Sequence, residues 1–237
     1  MANKKLWLIW RSEKSSQRSR FRIGTLSWNP EEDVYTFQYD SGNDLVLAKE
    51  AGFSFFPGFE DLEKKYTYKN ELFPNIAARL PKVERDDYLD VLNRYNLNMS
   101  DGQFTVLSAT KGRQITDNFE FVPVFDENKI EFDVAGVNHR NIEEIEESAR
   151  EGYLTNGAKL MLEHEEDNEY DANAVRVILP TGKKNIFLGY VPRYYSEQLL
   201  KKIKSDIEYS AVIAKVDMSS KIRDEKISAL VRLMFAK

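Results

Sequence analysis

The chain has 237 residues, 42% hydrophobic and 12% aromatic, which is enough apolar surface to offset ordering entropy and excludes a disordered protein. Its 34 Lys and Arg face 39 Asp and Glu, a net charge of −5; that excludes coating nucleic acid by bulk charge but leaves room for a local basic site. There is no cysteine, hence no disulfide or thiolate metal site. No stretch approaches the roughly 20 apolar residues that span a bilayer, and the apolar run at 6–10 is shorter than the roughly 7–15 residues of a signal peptide, so a cytoplasmic protein off the membrane is expected.

In chain order, Leu6-Trp7-Leu8-Ile9-Trp10 reads as a short buried strand. Residues 21–28 and 34–39 alternate with period two, as strands with one buried face do, around a turn at Asn29-Pro30-Glu31-Glu32-Asp33. The polar stretch 11–20 reads as an exposed loop. The middle of the chain turns helical. Tyr88, Val91, Leu92 and Tyr95 share one helical face, and shorter helical pieces are expected around 59–66 and 71–80, the second limited by Pro74. Residues 119–124 form a strand leading to a linker at Asp126-Glu127-Asn128, which places a domain boundary near 127.

The second half opens with a strand at 130–137. Asn141 and Glu144 have the spacing of a capping box, and Ile142, Ile145 and Ala149 form the stripe of the helix they begin, with Gly152 placed to end it. Strands follow at 159–162, 174–179, 186–191, 209–216 and 227–235. Ser196 reads as the N-cap of a helix with Leu199, Leu200 and Ile203 inward and Lys201, Lys202 and Lys204 outward. Short strands with two helices imply a small, partly closed barrel, and the fold class is α+β.

Charge is unevenly spread. Lys4, Lys5, Arg11, Lys14, Arg18, Arg20 and Arg22 are opposed only by Glu13, and residues 143–171 are strongly acidic. Between 176 and 204, Arg176, Lys183, Lys184, Arg193, Lys201, Lys202 and Lys204 are opposed by Glu197 alone. Such a face suits a phosphate backbone, or simply solvent.

The segment Asp167-Asn168-Glu169-Tyr170-Asp171-Ala172-Asn173 is the most pointed motif. Asn and Asp side chains bond nearby backbone amides, so a tight loop tied by Asp171 and Asn173 accounts for it without any ligand. The same turn also presents Tyr170 as a flat ring for a base and Asp171 as a hydrogen-bond acceptor. A carboxylate repels phosphate, so this pairing suits a strand terminus bearing a hydroxyl. His139 and His164 are the only histidines, and a zinc site would need both together with Glu163, Glu165 or Glu166; a solvated acidic loop is the simpler reading. No cofactor is expected. There is no phosphate-cradling Gly-Lys-Ser/Thr loop and no Gly-x-Ser-x-Gly elbow, so a non-enzymatic protein is expected.

Three motifs in order, Val134-Ala135-Gly136-Val137-Asn138-His139-Arg140, the Asn168–Asn173 cluster, and Leu188-Gly189-Tyr190-Val191-Pro192-Arg193, resemble a HIRAN domain over roughly 130–235. The resemblance implies a barrel related to the oligonucleotide-binding fold that captures single-stranded DNA 3′ ends or binds stalled-replication structures. On this likeness the site comprises Tyr170, Asp171, Asn168, Asn173, Asn138, His139, Arg140, Tyr190, Arg193 and the Lys201, Lys202, Lys204 face. The sequence departs from the family at Asn138, where an arginine is usual, and at Glu169, where proline is. The first half, through Ile23-Gly24-Thr25-Leu26, residues 35–40 and residues 71–79, resembles more faintly the N-terminal subdomain of HipA-type toxin kinases. The implied organisation is an α+β domain at 1–127 and a HIRAN-like barrel at 128–237. DNA is the expected partner. The alternative is a protein-interaction module docking a toxin–antitoxin partner without DNA.

Overall fold

The computed structural model describes residues 4–12, 20–218 and 227–236. Most of the loop expected at 11–20, including Lys14 and Arg18, falls outside them. The chain divides into two compact units, Met1–Val124 and Phe125–Lys237, and the fold is α+β.

Among the described residues, the first unit holds one antiparallel sheet. It comprises β1 (Lys4–Arg11), β2 (Arg20–Asn29), β3 (Val34–Tyr39), β4 (Tyr66–Lys69) and β5 (Phe119–Pro123), in the order β4-β3-β2-β1-β5. The helices are α1 (Asn43–Glu50), α2 (Pro74–Ala77), α3 (Tyr88–Arg94) and α4 (Gln103–Thr110). Alternation is plain in β3, where Tyr35, Phe37 and Tyr39 are buried. Pro74 sits in the first turn of α2, where its missing N–H costs nothing. No helix forms at 59–66. Phe59 instead stacks on Phe37 with ring centroids 4.4 Å apart, and Tyr66 already lies in β4 opposite Phe37. The buried Tyr39 hydroxyl holds this segment, donating to the Phe59 carbonyl and accepting from the Phe56 N–H, each at 2.7 Å. Burial pushes that phenol up to about 12. In α3 Leu92 is buried while Tyr95, just past its end, remains 39% exposed, so the predicted apolar face is only partly covered.

In the second unit the described strands are β6 (Lys129–Asp133), β7 (Lys159–His164), β8 (Val175–Pro180), β9 (Asn185–Tyr190), β10 (Tyr209–Asp217) and β11 (Ser228–Phe235). They form an antiparallel sheet in the order β6-β11-β10-β7-β8-β9. Ala135, just beyond β6, exchanges backbone hydrogen bonds of 2.7 and 2.9 Å with Tyr190 at the end of β9. The two edge strands therefore meet, and the sheet curls into a partly closed barrel around Phe132, Val175, Val177, Leu188, Ile213, Val231 and Leu233. Helix α5 (Ile142–Arg150) begins with Asn141 Oδ1 accepting from the Glu144 N–H at 3.3 Å. The Glu144 carboxylate pairs with Lys184 at 2.9 Å. Helix α6 (Arg193–Lys204) starts three residues before the expected Ser196 cap, with Pro192 in the capping position. Proline's fixed φ suits a helix start, and Ser196, 1% exposed, lies inside the helix. No helix among the described residues is long and apolar enough to cross a membrane.

Candidate nucleic-acid interface

Three connections come together where the barrel closes. They are the 3-10 turn Val137–His139 with Arg140 after it, the β7–β8 loop at 165–174, and the junction between β9 and α6.

The β7–β8 loop is a nested set of side-chain-to-backbone turns. Asn168 Oδ1 accepts from the N–H groups of Tyr170 and Asp171, both at 3.0 Å, and Asp171 Oδ1 accepts from the Asn173 N–H at 2.9 Å. Short polar side chains that bond their own backbone give such loops their fixed shape without a core of their own. The outcome is a Tyr170 ring left 58% exposed. Asp171 Oδ2 accepts from Ser196 Oγ at 2.7 Å, tying the loop to α6 near its N-terminal end, which favours a negative charge. Asn173 contributes only its backbone N–H, so the expected ligand-free turn forms with Asn168, not Asn173, as the second tying side chain beside Asp171.

Glu165, at the root of the loop, is the busiest carboxylate of the corner. Its Oε2 accepts from Asn168 Nδ2 and from the Tyr190 hydroxyl, both at 2.7 Å, and its Oε1 pairs with the Arg176 guanidinium of β8. These bonds, that from Arg176 foremost, hold the Glu165 carboxyl down at about 2. Tyr190 is shifted the other way: partial burial, then its bond to Glu165, raises its phenol above the usual value. Arg140 lies over two rings, 4.9 Å from the Phe187 centroid and 5.6 Å from that of Tyr190, while Arg176 lies 5.4 Å from Phe187. Phe187 and Tyr190 meet edge to face at 5.1 Å.

The expected site residues thus separate. Tyr170, Asp171, Asn168, Asn173, Tyr190, Arg140 and the start of α6 at Arg193 gather at the corner. His139 is exposed in the turn beside it. Asn138 does not join them: its amide donates to the Ile227 carbonyl and accepts from the Ile227 N–H, both at 3.2 Å, mimicking a strand pairing. Lys202 is engaged internally, bonding the Glu127 carbonyl at 2.7 Å with its ammonium over the Phe235 ring. Lys201 pairs with Glu197 at 2.6 Å. At 1.5 Å rise per residue, Lys201 and Lys204 lie roughly 12 and 16 Å along α6 from Arg193, so the expected lysine face is set away from the corner. Lys183 pairs with Glu151, just past the end of α5, and Lys184 with Glu144 in its first turn. Arg140 and Arg193 remain without a carboxylate partner among the described residues. The rim carries exposed Glu163, Glu166, Asp167 and Glu169.

Glu165, Arg176, Phe187 and Ser196 belong to the corner, yet the sequence assigns none of them to the end-binding site. Glu165 sits in a run of acids with nothing in the run to mark it, and Ser196 reads as a cap because its partner Asp171 is distant in sequence.

No curated protein matches the chain. Among solved structures it is similar to the HIRAN domain of human HLTF, at 14% identity and a TM-score of 0.34, over 46% of this chain and 74% of that one. It is also similar to a Lactobacillus plantarum protein, at 20% identity and a TM-score of 0.33, over 45% of this chain and 92% of that one. The HipA-type resemblance of the first half, and the toxin–antitoxin docking partner inferred from it, gain no support, because the family match lies wholly in the second unit. That match is to the HIRAN domain family, across residues 128–231, and it takes in the barrel up to the first half of β11 and every segment of the corner described above.

Proposed function

We propose that the C-terminal unit is a binding module that takes the free 3′ end of a DNA single strand at the corner formed by Tyr170, Asp171 and Tyr190. The observation that carries the reading is the exposed Tyr170 ring, held beside a carboxylate by a turn already bonded before any ligand arrives. A base stacks on such a ring whatever its identity. Asp171 uses one lone pair on each oxygen internally and keeps acceptor capacity for a terminal hydroxyl. The acidic rim repels a phosphate continuing past that point, which favours a terminus over an internal nucleotide. Arg140 and Arg193 supply the cations for phosphates on the 5′ side. No reaction is assigned to the unit.

Fluorescence anisotropy with a short labelled single strand tests this. Tyr170→Ala should weaken binding by about 1–3 kcal/mol, or about 5- to 150-fold in Kd, and a 3′-phosphate should weaken it further than a 5′-phosphate does. Equal binding of 3′-hydroxyl and 3′-phosphate strands would remove hydroxyl capture from the account.

A further inference from the structure

We propose that Glu165 is the positioning residue of this interface: it touches no ligand, and it sets where Tyr170 and Asp171 stand. Its consequence for binding rests on the end-capture reading above; its consequence for the loop rests on geometry alone.

The chain of bonds is short and directional. Glu165 Oε2 receives Asn168 Nδ2 at 2.7 Å, which orients the Asn168 amide so that its other end, Oδ1, faces the loop. That oxygen receives the N–H groups of both Tyr170 and Asp171. The same carboxylate is fixed from outside the loop by the Tyr190 hydroxyl at the end of β9 and by Arg176 on β8. One side chain therefore registers the loop against two strands of the barrel. Its main-chain N–H also bonds the Ala174 carbonyl at 2.9 Å, closing the loop at its base. Glu163, Glu166, Asp167 and Glu169, its acidic neighbours, point into solvent and none has this set of partners.

Without the Glu165 carboxylate, Asn168 loses the bond that fixes its amide and can rotate, and the two N–H groups it holds are released. Substitution should then act on binding mainly through Tyr170 and Asp171, the released Tyr190 hydroxyl adding a smaller part. Amide hydrogen exchange on the full chain reads the first step without any DNA. Glu165→Ala should speed exchange at Tyr170 and Asp171 about ten-fold while the amides of β8 and β10 keep their rates. Glu165→Gln, which retains one acceptor oxygen, should fall between. Unchanged rates at 170 and 171, or a uniform rise across the barrel, would overturn the proposal. Anisotropy with a short single strand reads the second step as a double-mutant cycle. Glu165→Ala should weaken binding about ten-fold in the parent chain and by no more than about two-fold in a Tyr170→Ala, Asp171→Ala background, where only the Tyr190 hydroxyl is still released. An equal loss in both backgrounds would refute positioning. A parent chain that binds no strand, with exchange still accelerated at 170 and 171, would sink the end-capture reading and leave the positioning role standing.

Discussion

At φ +142, and with the Ala135 carbonyl oxygen 2.4 Å from where a Cβ would stand, position 189 admits glycine and no larger residue. The close approach is what lets the Ala135 and Tyr190 backbones exchange their two hydrogen bonds. Gly189→Ala combines backbone strain with a steric clash and should cost about 3 kcal/mol. Gly136→Ala, at φ +77 with open space around it, should cost about 1 kcal/mol. Urea unfolding followed by a probe in the barrel separates the two. At this scale the sequence was most legible where chemistry is local. The Asn168 and Asp171 turns follow from what short polar side chains do to their own backbone. Asn138, Ser196 and Lys202 were not legible, because each is decided by a partner far along the chain: Ile227, Asp171 and Glu127.

Among elements, strands with one buried face declared themselves by alternation, and β2, β3 and β7 to β11 lie close to where the pattern puts them. Helices α1 and α4 escaped notice because each is only eight residues long, with two or three buried positions between Gly42 or Gly102 and a turn. The segment at 59–66 misled for the opposite reason: its apolar spacing suits a helix, yet stacking of Phe59 on Phe37 in the core outweighs local preference. Carboxylates link elements too. Glu120 of β5 is buried between Arg113 at 2.6 Å and Arg20 at 3.7 Å. Burial pushes its carboxyl up, but Arg113, Arg20 and Lys111 outweigh burial and hold it at about 2, against an ordinary 4.5. A carboxyl depressed in the folded state stabilises fully above its unfolded value, and that contribution is lost as pH falls through the folded one. The first unit should therefore lose stability between pH 4.5 and about 2. Glu120→Gln should flatten the pH dependence in that window and lower stability at neutral pH, both measurable by denaturant unfolding across pH.

For the whole molecule, a net charge of −5 sets the character of any DNA contact. With Arg140 and Arg193 lacking a carboxylate partner among the described residues and the α6 lysines engaged or distant, log K against log salt should have a slope of about −1.4, two contacts at about −0.7 each for a single strand. A slope steeper than about −3 would mean that the lysine face takes part after all. The basic run from 176 to 204 suggested such a face because a linear sequence shows neighbours in order. The pairs that neutralise Lys183 and Lys184 come from Glu151 and Glu144, some 30 to 40 residues away.

The closure between Ala135 and Tyr190 has one more implication. It is the seam of the cylinder, and the phenol of Tyr190 reaches from it into the corner where Tyr170 stands. An oligonucleotide seated there would bridge both lips of the seam, so occupancy should raise the thermal midpoint of the C-terminal unit, by the equivalent of about 2.7 kcal/mol at a hundred-fold excess over Kd. Conversely, a lesion that unstitches the seam, such as Gly189→Ala, should weaken the grip on DNA without altering any residue the strand meets.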